Sequence, residues 1–542
     1  MAKKTKQIEE PAVDLVTLTI DGQEVRVPHG TTLLQAAEGA GTEVPHYCYH
    51  PGLSSPAMCR LCLVEVEGAP KLLPSCTTTA AEGQVVRTQS DPATRMRRGV
   101  LEFYLLNHPL DCPICDQSGE CELQDYVFAE GREHGRGRDA KRVLGRDDFG
   151  GDVLFYGDRC VMCTRCVRFM SEVEEKPLLT VVDRGNRAVI DTFFDQGLEQ
   201  AEWAGNVVDI CPVGALVSKD FLYKARAWDL KHTDSVCPNC SQGCNIELHT
   251  RDNLVHRIKP RTNPEVNGHW MCDYGRGRYE WLNRGDRLEA PVVNLEGRNR
   301  AMGWKPALEA LKARIEALGD RSVKAVVSPF WSNEDIGEVT RLVDALGGGS
   351  VTFRSPRADD EVSLAGYEGL ARRKDLAPNT QGAELLGCVR VGDDAGQGGL
   401  DDLADHDGVL LVLGDALDDV PDVVAPNAAL VVYLGAYTSS ALSEVDFHFP
   451  VTTFAEQEGT FTNHAGRVQR FWPALSGPGT ARPAWLVLGA LMGALQNAEG
   501  PSRADHAFGL VAKAVKSYKG MNYETIGAQG TPSQARETVS GD

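Results

Sequence analysis

The chain has 542 residues, room for roughly three to five domains, with 42% hydrophobic and 24% charged residues and a formal net charge of −20. That balance is typical of a soluble globular protein. So acidic a balance argues against a general nucleic-acid binder, which needs a basic face to neutralise phosphates, and against a chain that lies directly on an anionic bilayer.

The first residues, MAKKTKQIEEPAVDL, have no apolar signal region and are too acidic for a transit peptide. The expected location is therefore cytosolic, or at a membrane only through partners, with no direct membrane span. In a reducing compartment the 16 cysteines are expected to be metal ligands rather than disulfides. Fifteen of them lie between residues 48 and 272, and only Cys388 lies beyond.

LTIDGQEVRV alternates apolar and polar residues around Asp21-Gly22, which predicts a β-hairpin. TTLLQAAEGAG predicts a short helix with a capping box from Thr32 to Gln35. Cys48, Cys59, Cys62 and Cys76 follow, spaced C-x10-C-x2-C-x13-C. Hairpin, helix and cysteine loop is the order of a β-grasp ferredoxin, although the first gap is longer than in the plant-type [2Fe–2S] pattern. A structural zinc site is the lesser alternative.

MRRGVLEFYLLNHPL has Val100, Phe103 and Tyr104 at helical spacing and stops before Pro109, which sets His108 at a helix end. Cys112, Cys115 and Cys121 then form H-x3-C-x2-C-x5-C with His108. A lone histidine at a helix end is more often a cap or core residue. Here three cysteines lack a fourth partner, and the count favours His108 as the ligand. An imidazole in place of a thiolate makes a cluster less negative and easier to reduce.

The basic run REHGRGRDAKRVLGRD (132–147) reads as a solvated linker or as a docking surface. RCVMCTRCVRF supplies Cys160, Cys163 and Cys166, and ICPVGAL supplies Cys211 before a proline. This is a bacterial-ferredoxin half-motif for [4Fe–4S], and with a single triplet in the segment, Cys211 closes the same site. Cys237, Cys240, Cys244 and Cys272 are spaced C-x2-C-x3-C-x27-C, which suits either zinc or [4Fe–4S].

The remainder reads as α/β. NEDIGEVTRLVDALGGG places Ile336, Val339, Val343 and Leu346 on one helical face, and GVLLVLGD and AALVVYLG read as buried parallel strands. AWLVLGALMGAL (484–495) is too short to span a bilayer and reads as a buried helix. No dinucleotide fingerprint or P-loop is present; GDDAGQGG reads as a plain loop, and the tail from about residue 524 as disordered. Cys388 has no His or Cys neighbour and reads as apolar packing.

With these motifs in hand, the chain resembles the large iron–sulfur subunit of bacterial respiratory complex I, the NADH:quinone oxidoreductase. NHPLDCPICDQSGECELQD, CYHPGLS…CRLCLVEVEG, RCVMCTRCVRF and DICPVGAL carry the resemblance, which is strong over residues 15–285. It implies one [2Fe–2S] cluster on Cys48, Cys59, Cys62 and Cys76. It implies [4Fe–4S] clusters on His108, Cys112, Cys115 and Cys121, on Cys160, Cys163, Cys166 and Cys211, and on Cys237, Cys240, Cys244 and Cys272. The last quartet occurs in some bacterial members, off the main electron route.

Beyond it, CDYGRGRYEWLNRGDRLEAPVV and EQEGTFTNHAGRVQR resemble molybdopterin oxidoreductases, with Ala465 where those have Glu. About 250 residues are too few for the full cofactor fold, so no molybdopterin is expected. The resemblance implies a multidomain α+β and α/β chain. Its parts are a β-grasp [2Fe–2S] ferredoxin-like domain (1–94), a helical [4Fe–4S] domain ligated by one histidine and three cysteines (95–134), a bacterial-ferredoxin-like [4Fe–4S] domain (135–229), a [4Fe–4S] domain of the Mo/W bis-MGD type (230–288) and a shortened molybdopterin-oxidoreductase-like α/β domain with a disordered tail (289–542).

The implied partners are the NADH/FMN subunit and the quinone-side iron–sulfur subunits, at the cytoplasmic side of the bacterial inner membrane. The implied role is electron relay, with no substrate site on this chain. An NAD-linked molybdenum formate dehydrogenase is the alternative. It would need a metal-ligating Cys388, whose context lacks the expected His neighbour. A zinc-stapled scaffold would leave the ferredoxin-type triplet and Cys-Pro as accident.

Overall fold

Asp21 and Gly22, with φ of 46° and 86°, turn the chain between strands Leu15–Ile20 and Gln23–Pro28. These pair antiparallel from Leu15–Pro28 to Ile20–Gln23. Two central residues at positive φ match the twist of the flanking strands. The computed structural model describes residues 14–192, 197–392, 400–417, 425–439, 442 and 445–534. The chain divides into two compact units, Met1–Trp228 and Asp229–Asp542.

In the first unit the hairpin joins a five-stranded sheet in which Leu15–Ile20 runs parallel to Val85–Arg87. Helix Leu33–Gly39 begins at the expected capping box between Thr32 and Gln35 and buries Leu33, Leu34, Ala36 and Ala37. Cys62 and Cys76 belong to the core beneath it. Ser90 caps helix Asp91–Asn107 through Ala93 N, Pro92 stands in its first turn, and His108 ends it, because Pro109 cannot continue the ladder. Hairpin Arg146–Gly150 and Val153–Tyr156 is extended by strand Leu216–Ser218.

In the second unit, Lys231–Val236, Asn245–Arg251 and Leu254–Pro260 form an antiparallel meander. An eight-stranded sheet follows. Six of its strands are parallel, in the order Phe447–Pro450, Leu430–Gly435, Val409–Leu413, Val323–Val327, Gly349–Phe353 and Val389–Arg390. Their chain order reverses between Val323–Val327 and Val409–Leu413, a doubly wound arrangement whose switch point is the usual ligand crevice. Helix Asn333–Ala345 buries Ile336, Val339, Leu342 and Val343. Helix Ala484–Gln496 is buried along most of its length. Among the described residues no helix is long and apolar enough to cross a membrane.

The expected disorder from residue 524 is corrected. Helix Tyr523–Ile526 starts at an Asn522 capping box, and strand Thr531–Pro532 pairs with Arg467–Val468. Buried Tyr523 donates from its hydroxyl to Glu334 at 2.9 Å. Long-range pairing orders a segment whose local composition is polar. Residues 535–542 lie outside the described residues, as do 393–399 of GDDAGQGG.

Candidate metal centres

All sixteen cysteines are free thiols. Cys48, Cys59, Cys62 and Cys76 are each at most 6% exposed. Their thiols meet in a chain of side-chain contacts: Cys59 with Cys48, Cys48 with Cys76, Cys76 with Cys62. The Cys76 thiol beside Cys62 holds the Cys62 pKa down against burial. The loop that carries them turns through two left-handed residues, Ala57 and Arg60, with φ of 51° and 59°. Such turns point backbone N–H groups into a concavity suited to negative charge.

The His108 backbone closes its helix on Tyr104 O. Its Nδ1 is buried and has no hydrogen-bond partner. Burial, with the cations Arg159 and Lys141 adding, lowers the imidazole pKa to about 4. The ring is therefore neutral at pH 7, the form that ligates metals. One cavity is lined by His108, Cys112 and Cys121. Cys115 faces the neighbouring loop, where a Cβ at Gly214 would meet its Sγ at 2.2 Å. Burial pushes the Cys121 thiol up to about 12.

Cys160, Cys163, Cys166 and Cys211 all line a single small cavity, together with Phe155, Val161, Ile190, Pro212, Val213 and Leu216. Burial, with Cys211 adding, pushes Cys163 up to about 12. Met162 and Thr164, at φ of 53° and 59°, wind the triplet around that space.

Cys237, Cys240, Cys244 and Cys272 are each at most 5% exposed. Cys237 N donates to Cys244 O at 2.8 Å, and Gly275 N donates to Cys272 Sγ at 3.4 Å. A Cβ on Gly275 would meet Cys237 Sγ at 3.0 Å and Cys272 Sγ at 3.6 Å. Each group thus gathers soft donors, most of them buried although Cys112 is exposed, which suits iron–sulfur ligation. Buried thiols keep their protons, so metal binding must displace them.

Two arginines inside RCVMCTRCVRF tie the first unit together. Arg165 donates from Nε to Tyr49 O at 3.1 Å and from Nη1 to Glu122 Oε1 at 2.9 Å and Ile210 O at 3.2 Å. Arg168 donates to Cys48 O at 2.5 Å, to Cys163 O at 3.3 Å and to Ser54 O. Tyr47, with its hydroxyl buried and unpartnered, packs edge-on against Tyr104 at 5.1 Å between centroids. The placement of these two charges within a cysteine motif was the available sequence signal, but most of their partners are 40 to 120 residues away.

The run 132–147 does not stand free. Arg136 pairs with Glu102 at 2.7 Å, Lys141 Nζ donates to Leu105 O at 2.5 Å, and Arg142 Nη1 donates to Asn186 O at 2.7 Å. Cys388 sits in the hydrophobic core of the second unit, its thiol pushed up to about 12 by burial.

A further group, His232, Glu247 and His249, lies within metal-ligating reach of one another. Arg257 Nε donates to His249 Nδ1 at 2.9 Å, so the ring proton sits on Nε2 and faces Glu247 Oε2 at 3.0 Å. That leaves the ring no lone pair for a metal. At the switch point of the large sheet, Trp331 covers Gly414 so closely that a Cβ there would meet the ring at 2.2 Å.

Several families match in chain order. Residues 14–91 match the 2Fe-2S iron-sulfur cluster binding domain, and 97–136 the NADH-ubiquinone oxidoreductase-G iron-sulfur binding region. Residues 150–217 match the NADH-quinone oxidoreductase subunit 3 ferredoxin-like domain. Residues 230–284 match the molybdopterin oxidoreductase Fe4S4 domain, and 403–494 molybdopterin oxidoreductase.

The chain is 38% identical over 334 residues to the NADH-quinone oxidoreductase G subunit of Rickettsia bellii, covering 61% of this chain and 49% of that protein. It is 40% identical over 339 residues to the mitochondrial NADH dehydrogenase [ubiquinone] iron-sulfur protein 1 of Solanum tuberosum, covering 62% and 46%. The chain thus spans about half the length of the curated relatives it matches. Among solved structures, an NAD+-reducing [NiFe]-hydrogenase chain is 32% identical, covering 39% of this chain and 90% of that one at a TM-score of 0.36, too low to bear on fold or function.

Proposed function

We propose that this chain, which carries the iron–sulfur domains of the large iron–sulfur subunit of NADH-quinone oxidoreductase, is an electron-transfer subunit of such a complex. In this reading Cys48, Cys59, Cys62 and Cys76 hold one [2Fe–2S] cluster. His108 with Cys112, Cys115 and Cys121 holds a [4Fe–4S] cluster, Cys160, Cys163, Cys166 and Cys211 a second, and Cys237, Cys240, Cys244 and Cys272 a third. The proposed domain limits are 1–94, 95–134, 135–229, 230–288 and 289–542. Bound clusters supply reversible one-electron storage.

The chain's own residues do the rest. Thiols, most of them buried, and an uncharged imidazole fix the ligand positions. The apolar lining of Val161, Ile190, Val213 and Leu216 keeps water from the Cys160 group. Arg165 and Arg168 hold the three groups of the first unit at fixed separations. No residue on the chain is assigned a bond-breaking role.

The observation that carries the reading is this adjacency. Arg168 spans Cys48 O and Cys163 O, and Gly214, three residues after Cys211, lies against Cys115. Ligand groups packed wall to wall suit electron relay and have no purpose in a zinc scaffold.

The partners in this reading are the NADH/FMN subunit on one side and quinone-side iron–sulfur subunits on the other, with nucleic acid absent and the complex at the cytoplasmic face of the bacterial inner membrane. Phe103, Leu110 and Phe128, respectively 75%, 87% and 95% exposed, support a protein partner near the His108 group. The formate dehydrogenase alternative loses ground because Cys388 is packed in a hydrophobic core and Trp331 fills space at the sheet's switch point.

The test is an EPR redox titration of the full chain purified without oxygen. One [2Fe–2S] and three [4Fe–4S] signals are expected, and His108→Ala is expected to remove or alter one [4Fe–4S] signal alone. An unchanged set of signals in that variant would take His108 out of the site.

A further inference from the structure

Two serine hydroxyls in the first unit are buried without a partner, and both border the same cysteine group. Ser75 is fully buried, and its Oγ closes no hydrogen bond. Its backbone is anchored on both sides: Ser75 N donates to Cys62 O at 3.0 Å, and Leu34 N donates to Ser75 O at 3.0 Å. The hydroxyl is thereby held beside the Cys62 thiol.

Ser55 Oγ is likewise buried and unpartnered and lies beside the Cys76 thiol. Its loop is clamped at the preceding residue. Ser54 N donates to Glu172 Oε2 at 2.9 Å, and Arg168 donates to Ser54 O.

A hydroxyl needs an acceptor when buried, and an orphan costs free energy. A neutral thiol is a poor acceptor, so it is at best a weak partner for either hydroxyl. A thiolate bound to iron carries charge and is a strong one. Both hydroxyls are therefore placed beside an acceptor that becomes strong once the thiols have lost their protons to a metal.

We propose that Ser75 and Ser55 are positioning residues that donate hydrogen bonds to the Cys62 and Cys76 thiolates and raise the reduction potential of the [2Fe–2S] site. The inference rests on the ligand assignment above. The sign follows from charge. Reduction adds one electron, and so one unit of negative charge, to the cluster and its thiolates, with no bond made or broken. Donors to the sulfurs stabilise the more negative state.

The experiment is an EPR-monitored redox titration of the full chain and of its Ser75→Ala and Ser55→Ala variants, with iron per chain measured on each. The midpoint potential of the [2Fe–2S] signal should fall in each variant while the [4Fe–4S] midpoints stay put. Ser55→Thr, which keeps the hydroxyl, should return the unmodified value. If Ser75→Ala fails to hold the cluster, the Ser55 variants decide alone. An unmoved potential at full [2Fe–2S] intensity would overturn the proposal. A chain with no [2Fe–2S] signal would overturn the ligand assignment beneath it.

Discussion

A methyl group at Gly214 has nowhere to go. The position does not need positive φ, so alanine costs nothing in the backbone, but its Cβ would meet Cys115 Sγ at 2.2 Å and Gln117 Cβ at 3.1 Å. Gly214→Ala should therefore displace Cys115. Iron should fall by about four per chain, the content of one cube, with the [2Fe–2S] EPR signal intact; full iron content would show that the loops can move apart.

A different kind of pressure acts at Glu334, which is fully buried and accepts from Thr460 N at 2.9 Å, Thr460 Oγ1 at 3.0 Å and Tyr523 OH at 2.9 Å. Those donors favour the charged form, but burial prevails and lifts the pKa from 4.5 to about 7. Between those values the folded chain keeps a proton that the unfolded chain has lost. Stability from this group is complete below the lower value and is lost as pH rises through the upper, by at most about 3 kcal/mol. Glu334→Gln removes the titration. The unmodified chain should thus gain on the variant as pH drops from 8 to 5, read by denaturant unfolding with tryptophan fluorescence. A gap independent of pH would contradict this.

Local elements followed their sequence signals closely. The Asp21-Gly22 hairpin, the Thr32–Gln35 capping box, the helix ending at His108 and the parallel strands Val409–Leu413 and Leu430–Gly435 formed where expected. Each is specified within a dozen residues. What was not legible joins distant elements. Arg168, only 9% exposed, binds carbonyls of Cys48, Ser54 and Cys163 through its guanidinium, and nothing near Arg168 names the first two. The ordered segment Tyr523–Ile526 was missed for the same reason. Arg168→Ala should leave buried carbonyls unpaired and cost about 3 kcal/mol, seen as a lower denaturant midpoint for loss of the [2Fe–2S] absorbance. Lysine, without the planar fork, should recover only part. An unchanged midpoint would mean the carbonyls find other donors.

Across the whole chain, the grouping of the cysteines was legible because soft donors at fixed spacings are rare by chance. Four groups account for fifteen cysteines and His108, and the remaining Cys388 lies in apolar packing. The geometry of the groups was less legible. That Cys115 abuts Gly214, or that His232, Glu247 and His249 converge while His249 keeps no free ring lone pair, depends on packing between segments. The closeness of Trp331 to Gly414 at the switch point of the second unit's sheet likewise emerged only in three dimensions. Elemental analysis of the full chain, purified without oxygen, tests the central claim most directly. The account predicts about 14 irons per chain, summed from one [2Fe–2S] and three [4Fe–4S] clusters, with neither molybdenum nor zinc in stoichiometric amount. Stoichiometric molybdenum would instead make this chain an enzyme with its own substrate, and zinc in place of iron would mean that the cysteines hold the fold and carry no electrons.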